Sequence, residues 1–355
     1  MTANGTANKK DSTEDRFVEP GYADDANYAM LPDTGDGQML FLLNMVNKMK
    51  SDELGTRIAT VHNGSSLFTG NAGQGESNAR RYLLENDLVE AIIQLPKKIF
   101  YNTPLSTYIW LLSNRKKPNL KGKVQLIDAS KWFKPLKKNL GDRNCEMTSE
   151  YRNRVLDLIL NPRNTENSIV LSNTELGYRS IIVAHPLRLF AEISDERLDL
   201  LKTQLPEKQR NAIISTLSNL PEGAMAWADL EKALKGIKFT KKISDELRKA
   251  LGVKSPEAPI LGLDKSGYPY ADDELQETEQ IPLTESVTDF LEREVFPYVS
   301  DSFVPDADGK IGYEISFNRY FYKPAPLRAI ADIIADIRSL NSGSDAILNS
   351  IIGEK

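Results

Sequence analysis

Cysteine and histidine are nearly absent from this sequence, which has one cysteine, Cys145, and two histidines, His62 and His185. A single thiol excludes an internal disulfide framework. Structural zinc sites need four ligands drawn mainly from Cys and His, so these three residues cannot complete one. The sequence therefore predicts neither a disulfide-stapled domain nor a bound metal.

Long hydrophobic runs are missing as well. No apolar stretch approaches the roughly 18 residues needed to cross a bilayer, and the first 20 residues lack the hydrophobic segment of a signal peptide. We therefore expect no membrane association and a cytoplasmic location. With 355 residues and 40% hydrophobic side chains, the chain can bury a substantial core, and its length predicts two or three domains.

Basic charge is scarce overall but concentrated in one stretch. The net charge is -5, yet residues 97–154 hold 14 Lys or Arg against four Asp or Glu, which leaves the remainder at -15. Clustered cations neutralise phosphates, whereas a run of charge can also be a solvated loop. We predict a DNA-phosphate surface, with the solvated loop as the alternative. The candidate phosphate contacts are Lys97, Lys98, Lys116, Lys117, Lys137 and Lys138.

Short β-branched apolar runs bounded by Gly, Pro or Asn fill the first half of the chain. They are typical of buried strands in an α/β sheet, and a helix is predicted at 76–86. Helical patterns dominate after about residue 148. We predict an α/β region followed by a mainly α region, with the α/β part resembling the second half of a doubly wound sheet. The predicted strands are RIATVHNG, LVEAIIQLP, STYIWLLSN and KVQLIDAS.

These patterns divide the chain into four predicted parts. Residues 1–25 are polar and aperiodic, so little order is expected there. Residues 26–190 form the α/β domain, and 191–280 form a helical insertion and connector. Residues 281–355 form a C-terminal helical region.

An apolar stripe marks the C-terminal segment, where Leu327, Ile330, Ile334 and Ile337 recur at steps of three and four. Such a stripe is one face of a helix that packs against another helix. The partner is either another part of this chain or a separate polypeptide, and the sequence pattern alone leaves both open.

Several segments in a shared order resemble the modification subunits of type I restriction-modification systems. Together they cover roughly residues 20–340. They are GYADDANYAMLPDTGDGQMLFLLNMVNKM, the stretch from RIATVHNG to LLSNRK, GYRSIIVAHPLRL, ELQETEQIPL, FLEREVFPYV and KIGYEISFNRYFYKPAPLR.

This resemblance implies transfer of a methyl group from S-adenosylmethionine to the adenine amino nitrogen of DNA. It also implies a complex with a DNA-reading specificity subunit, with the restriction subunit as a further partner. The reaction needs a glycine-rich cofactor turn and an Asn-Pro-Pro-aromatic motif for the flipped base. Neither motif is found in the sequence: no glycine-rich turn follows a first strand, and NPRN at 161–164 lacks the second proline and the aromatic. The chain alone is therefore expected to be inactive and to bind no cofactor.

Two features remain as candidate site elements. GNAGQGE at 70–76 follows what looks like a late strand rather than opening the domain, which favours a flexible loop over a phosphate cradle. In IFYNTPLSTYIWLL, the resemblance implies an aromatic ring that stacks on the flipped base. Phe100 matches best, with Tyr101 as the alternate, and a buried core aromatic is the other interpretation.

Three functions compete at this stage. The first is an incomplete methyltransferase chain that docks a specificity subunit through Leu327, Ile330, Ile334 and Ile337. The second is a structural module that only docks that subunit. The third is an independent nucleotide-binding enzyme built on the glycine loop, which measurable nucleotide affinity would support.

Overall fold

The computed structural model describes Met30 and residues 37–238, 240–324 and 328–352, and the predicted N-terminal edge at 1–25 lies outside these residues. The chain divides into two compact units between Ile315 and Ser316. The predicted boundaries at 190 and 280 both fall inside the first unit. Among the described helices, none is long and apolar enough to span a membrane.

Strands and helices alternate through the first 193 residues. In order they are α1 (Gln38–Val46), β1 (Arg57–Asn63), α2 (Ser65–Phe68), α3 (Gly75–Glu85), β2 (Val89–Gln94), β3 (Thr107–Ser113), β4 (Lys123–Asp128), β5 (Lys134–Leu140), β6 (Arg143–Glu146), α4 (Ser149–Leu160), β7 (Ser168–Ser172), β8 (Gly177–Val183) and β9 (Leu189–Ile193). All four predicted apolar runs and the helix predicted at 76–86 are confirmed as β1 to β4 and α3.

Helices are denser in the remainder. The elements are α5 (Asp195–Gln204), α6 (Glu207–Leu217), β10 (Gly223–Ala226), α7 (Trp227–Ala233), α8 (Lys241–Leu251), β11 (Gly252–Lys254), β12 (Glu277–Pro282), α9 (Val287–Phe290), β13 (Lys310–Tyr313), α10 (Phe317–Phe321) and α11 (Ile330–Ile352). The mixed α/β character predicted for the chain is confirmed.

A five-stranded sheet in the order β1-β3-β2-β4-β7 forms the centre of the α/β region. Its one parallel pair is β2 with β4, and the other three pairs are antiparallel. Residues 95–106 between β2 and β3 contain no helix, so these strands can lie side by side only as an antiparallel pair. Apolar runs buried on both faces gave no sign of this direction, because they read alike in parallel and antiparallel sheets.

A separate hydrophobic cluster lies around β9. Strands β10 and β11 pair with β9 on either side, and α5, α6, α7 and α8 cover this small sheet. Trp227, Leu201 and Leu247 are among its buried side chains. The helical patterns read from the sequence after residue 190 are confirmed here.

The acidic stretch at 271–301, which has ten Asp or Glu and one Lys or Arg, contains a strand of a second sheet. Strand β12 within it pairs with β8 along its whole length, and β13 pairs with the other edge of β8. Ile281 is fully buried, while Glu277 on the same strand is exposed. The sequence hid this strand, because Glu277 and Glu279 share a face with buried Ile281 and so break the alternation of apolar and polar residues expected of a half-buried strand.

Helix α11 spans the predicted C-terminal stripe in the second unit. Ile330, Ile334 and Ile337 are 76%, 42% and 53% exposed. Leu327, the fourth predicted docking residue, lies outside the described residues.

Candidate nucleic-acid interface

The loop between β2 and β3 carries the predicted base-stacking residues. Ile99 packs against the hydrophobic cluster formed by β2, β4 and α4. The two residues that follow point outward: Phe100 is 38% exposed and Tyr101 is 54% exposed. The interpretation of Phe100 as a core aromatic is therefore wrong, because a core ring would be covered. Its role in stacking on a base remains a prediction.

A two-stranded hairpin that sequence reading missed lies beside this loop. It consists of β5 and β6, joined by the turn Gly141–Asp142. Gly141 has φ +63°, the left-handed region that tight hairpin turns require, and an added Cβ would lie 2.7 Å from the Tyr101 carbonyl oxygen. Only glycine fits this turn without displacing the loop.

Main-chain hydrogen bonds attach the hairpin to the loop. The Asp142 N–H donates to the Tyr101 carbonyl at 2.9 Å, and the Asn144 N–H donates to the Lys98 carbonyl at 3.1 Å. The Cys145 thiol lies 3.2 Å from the Lys97 carbonyl oxygen. The loop and hairpin therefore form a single surface, which we call the hairpin surface and define as residues 97–101 and 131–146.

Arg143 fixes the Tyr101 side chain on this surface. Its Nη1 donates to the Tyr101 hydroxyl at 2.8 Å, and its guanidinium carbon lies over the ring, 5.1 Å from the centroid. Such a cation–π contact adds to the hydrogen bond. The pair is separated by 42 positions in sequence, so no local pattern could have revealed it.

The hairpin surface also collects four of the six predicted phosphate-contacting lysines. Lys97 and Lys98 precede the exposed aromatic rings, and Lys137 and Lys138 lie on β5; all four are exposed. The structure therefore brings the predicted aromatic and basic residues together. Contact with phosphate stays a prediction for these four.

Lys116 and Lys117 lie elsewhere, beyond the far end of β3. The prediction that Lys116 contacts phosphate is wrong. Its side chain is 2% exposed, and its ammonium donates to Asp87 at 2.5 Å and to the Lys123 carbonyl. An ammonium buried in this way is not accessible to a phosphate. Lys117 is exposed, and its Nζ donates to the Leu160 carbonyl at 3.0 Å.

A row of polar side chains crosses the sheet at the end that carries this loop. His62 of β1 pairs with Tyr108 of β3, Tyr108 with Gln94 of β2, and Gln94 with Asp128 of β4. Directly paired residues point to the same face, so the four side chains form one row. Burial, together with the charge of Asp128, raises the pKa of Tyr108.

This row lies at the end of the sheet where open α/β sheets usually bind ligands. His62 Nδ1 lies 3.2 Å from Gln38 Oε1, and its ring lies 6.0 Å from that of Trp110. These contacts hold the histidine ring between α1 and β3. Tyr108, Gln94 and Asp128 were missed by sequence reading because their alignment depends on strand register.

The glycine loop at 70–75 lines a separate polar cavity of about 810 Å³. The opposite wall comes from β8, β12 and β13, and includes Ser180, Thr278 and Lys310. Buried Arg80 ties the loop to β13 by donating to the Tyr313 carbonyl at 2.6 Å and the Thr69 carbonyl at 2.8 Å. Burial lowers the pKa of this arginine to about 10.

This loop does not fit a turn that cradles S-adenosylmethionine or a nucleotide phosphate. Such a turn joins a strand directly to a helix, whereas residues 64–74, including α2, separate β1 from α3. Glu76 is also buried in the first turn of α3, and a Cβ at Gly70 would lie 2.9 Å from its carboxylate oxygen. A carboxylate there disfavours an anionic ligand.

Comparison with known proteins shows that part of this chain is similar in sequence to DNA methylases. Residues 6–171 match the model of the N-6 DNA methylase family. More specifically, the resemblance to type I modification subunits is confirmed. The chain is 36% identical over 86 residues to the type I restriction enzyme MjaIX methylase subunit of Methanocaldococcus jannaschii, a match covering 24% of this chain and 15% of that protein.

The chain is similar to two further proteins. The HindI methylase subunit of Haemophilus influenzae is 34% identical over 108 residues, covering 30% of this chain and 23% of that protein. The type I methyltransferase subunit of Streptococcus thermophilus has 27% identity and a TM-score of 0.36, covering 44% of this chain and 31% of that chain. These matches span well under two thirds of each relative.

Proposed function

We propose that this chain supplies part of a type I modification methyltransferase, which transfers a methyl group from S-adenosylmethionine to the adenine amino group of DNA. Its five-stranded sheet would be the second half of a doubly wound methyltransferase sheet. The match of residues 6–171 to the N-6 DNA methylase family carries this proposal. The partners would be DNA, a specificity subunit and the restriction subunit.

The hairpin surface supports the proposal, because exposed aromatic and basic side chains lie together at one end of the sheet. Phe100 would stack on the flipped adenine, with Tyr101 as the alternate, because a flat exposed ring can cover a base released from its own stack. Lys97, Lys98, Lys137 and Lys138 would contact phosphate.

The chain by itself is proposed to be inactive. The sequence contains no Asn-Pro-Pro-aromatic motif, and the glycine loop does not have the geometry of a cofactor turn. No step of methyl transfer is therefore assigned to its residues beyond contact with DNA.

Methyl transfer from labelled S-adenosylmethionine tests this proposal. We expect no transfer and no cofactor binding by calorimetry with the isolated chain. Transfer is expected when a specificity subunit and a polypeptide carrying the two missing motifs are added. Micromolar cofactor binding by the chain alone would contradict the proposal and favour the glycine loop as a site.

A second candidate function is a docking module without a catalytic role, which the exposed face of α11 favours. Ile330, Ile334 and Ile337 together expose a large apolar area, and burying each such side chain is worth about 1.5 to 3 kcal/mol. A specificity subunit is the proposed partner in both candidate functions.

Replacing Ile330 and Ile337 with Asp should abolish co-purification with the specificity subunit. Thermal unfolding of the chain should change little, because both positions are exposed in it. A large loss of thermal stability would place the stripe in the chain's own core. Co-purification without any contribution to methylation would favour the docking module over the methyltransferase.

A further inference from the structure

We propose that the hairpin surface binds single-stranded nucleic acid, and that it does so in the isolated chain without cofactor or partner. A base would stack on Tyr101, and the lysines of the loop and hairpin would neutralise the adjoining phosphates. The inference rests on the proposed function for the choice of DNA as the ligand. It adds Arg143 as a positioning residue and the β5–β6 hairpin as part of the binding site.

The charge of this surface is opposite to that of the whole chain. Residues 97–101 and 131–146 contain seven Lys or Arg and two Asp or Glu, whereas the full sequence carries -5. Phosphate backbones bind such clusters by releasing their counterions. An acidic remainder keeps a polyanion away from other faces, so binding should concentrate on the hairpin surface.

Exposed aromatic rings accompany the positive charge. Phe100, Tyr101 and Phe133 are 38%, 54% and 40% exposed. Exposed apolar side chains that cluster together mark interaction sites, and basic grooves combined with aromatic rings are the usual platform for unpaired bases. Lysines alone would explain affinity for a duplex, but the rings can stack only on bases that are unpaired.

The platform is held in place before a ligand arrives. The main-chain bonds from Asp142 and Asn144 fix the loop, and Arg143 fixes the Tyr101 ring through its hydroxyl. Ordering a side chain on binding costs conformational entropy. A ring that is already ordered avoids that cost, so Tyr101 is assigned as the stacking residue in the isolated chain.

Fluorescence anisotropy with labelled oligothymidylate of about 16 nucleotides, the upper end of the site sizes of single-strand-binding OB folds, tests the inference on the full chain. The control ligands are an abasic strand and a duplex of the same length. We expect the single strand to bind more tightly than either control, with affinity that falls as salt rises.

Two variants separate charge from stacking. Lys137→Glu with Lys138→Glu should weaken binding about tenfold at low salt and flatten the salt dependence. Tyr101→Leu should weaken binding to oligothymidylate at least about fivefold, which corresponds to about 1 kcal/mol, and leave the abasic strand unchanged. Tyr101→Phe keeps the ring and should retain most of the affinity.

Matched controls exist elsewhere in the chain. Lys235→Glu with Lys238→Glu makes the same charge change near α7, and Tyr298→Leu removes a tyrosine that is 82% exposed. Equal losses in these controls would overturn the inference, as would a duplex that binds as tightly as the single strand. Absence of binding by the isolated chain, with methylation intact in the assembled enzyme, would refute this inference alone.

Discussion

The basic stretch at 97–154 contains two environments for lysine. On the hairpin surface, Lys137 and Lys138 are exposed on a two-stranded hairpin. At the far end of the sheet, Lys116 is buried and bonded to Asp87 and the Lys123 carbonyl. The sequence is equally rich in basic residues around both groups of lysines, yet only the exposed lysines are accessible to a phosphate. Whether a lysine binds a partner or stabilises the fold is decided by burial.

The largest expected change in stability follows from substitution of the buried Lys116. Lys116→Met should lower the free energy of unfolding by about 2 to 4 kcal/mol, because it removes the cation paired with Asp87 and the ammonium donor to the Lys123 carbonyl. The estimate is below that for a fully buried pair since the Asp87 side chain is 32% exposed. Urea denaturation measures the change.

Its neighbour provides the matched control. Lys117→Met should change the free energy of unfolding by no more than about 0.5 kcal/mol, because Lys117 is exposed. Similar losses in the two variants would remove the distinction between the two environments.

The smallest expected effect is in the acid dependence of stability. Burial alone would raise the pKa of Asp87, but hydrogen bonds from Lys116, the Gly122 N–H and Asn173 hold it below its usual value. Its stabilisation is therefore complete above the unfolded pKa, about 3.9, and is lost as pH falls through the lower folded pKa.

Thermal melts between about pH 5 and about pH 3 measure this contribution. Asp87→Asn should make the melting temperature fall less steeply with acid than in the unaltered chain. Asp229→Asn, at an exposed carboxylate paired with Lys232, should leave the slope unchanged. An equal change of slope in both variants would show that Asp87 has no special role.

Much of the fold could be read from the sequence. The four apolar runs of β1 to β4 and the helical patterns after residue 190 were predictable because periodicity and turn residues are local signals. The direction of the strands was not predictable, because an apolar run buried on both faces has the same sequence pattern in a parallel and an antiparallel pair. Strand β12 was hidden because Glu277 and Glu279 take positions on the same face as buried Ile281, which breaks the expected alternation.

The candidate site was predictable only in part. Phe100 and Tyr101 could be named from the resemblance, and their exposure agrees with a binding role. The Tyr101–Arg143 pair and the polar row of His62, Tyr108 and Gln94 depend on chain segments meeting in three dimensions. Lys116 was misassigned because nothing in the local sequence signals its burial.

Methylation by the assembled enzyme tests the central claim most directly. With the missing motifs and the specificity subunit supplied, Phe100→Ala should reduce methyl transfer by an amount equal to about 1 to 3 kcal/mol of lost stacking. Phe133→Ala, at another exposed ring on the hairpin surface, is the matched control and should reduce transfer less. Wild-type transfer by both Phe100→Ala and Tyr101→Ala would contradict the assignment of this loop to the target base.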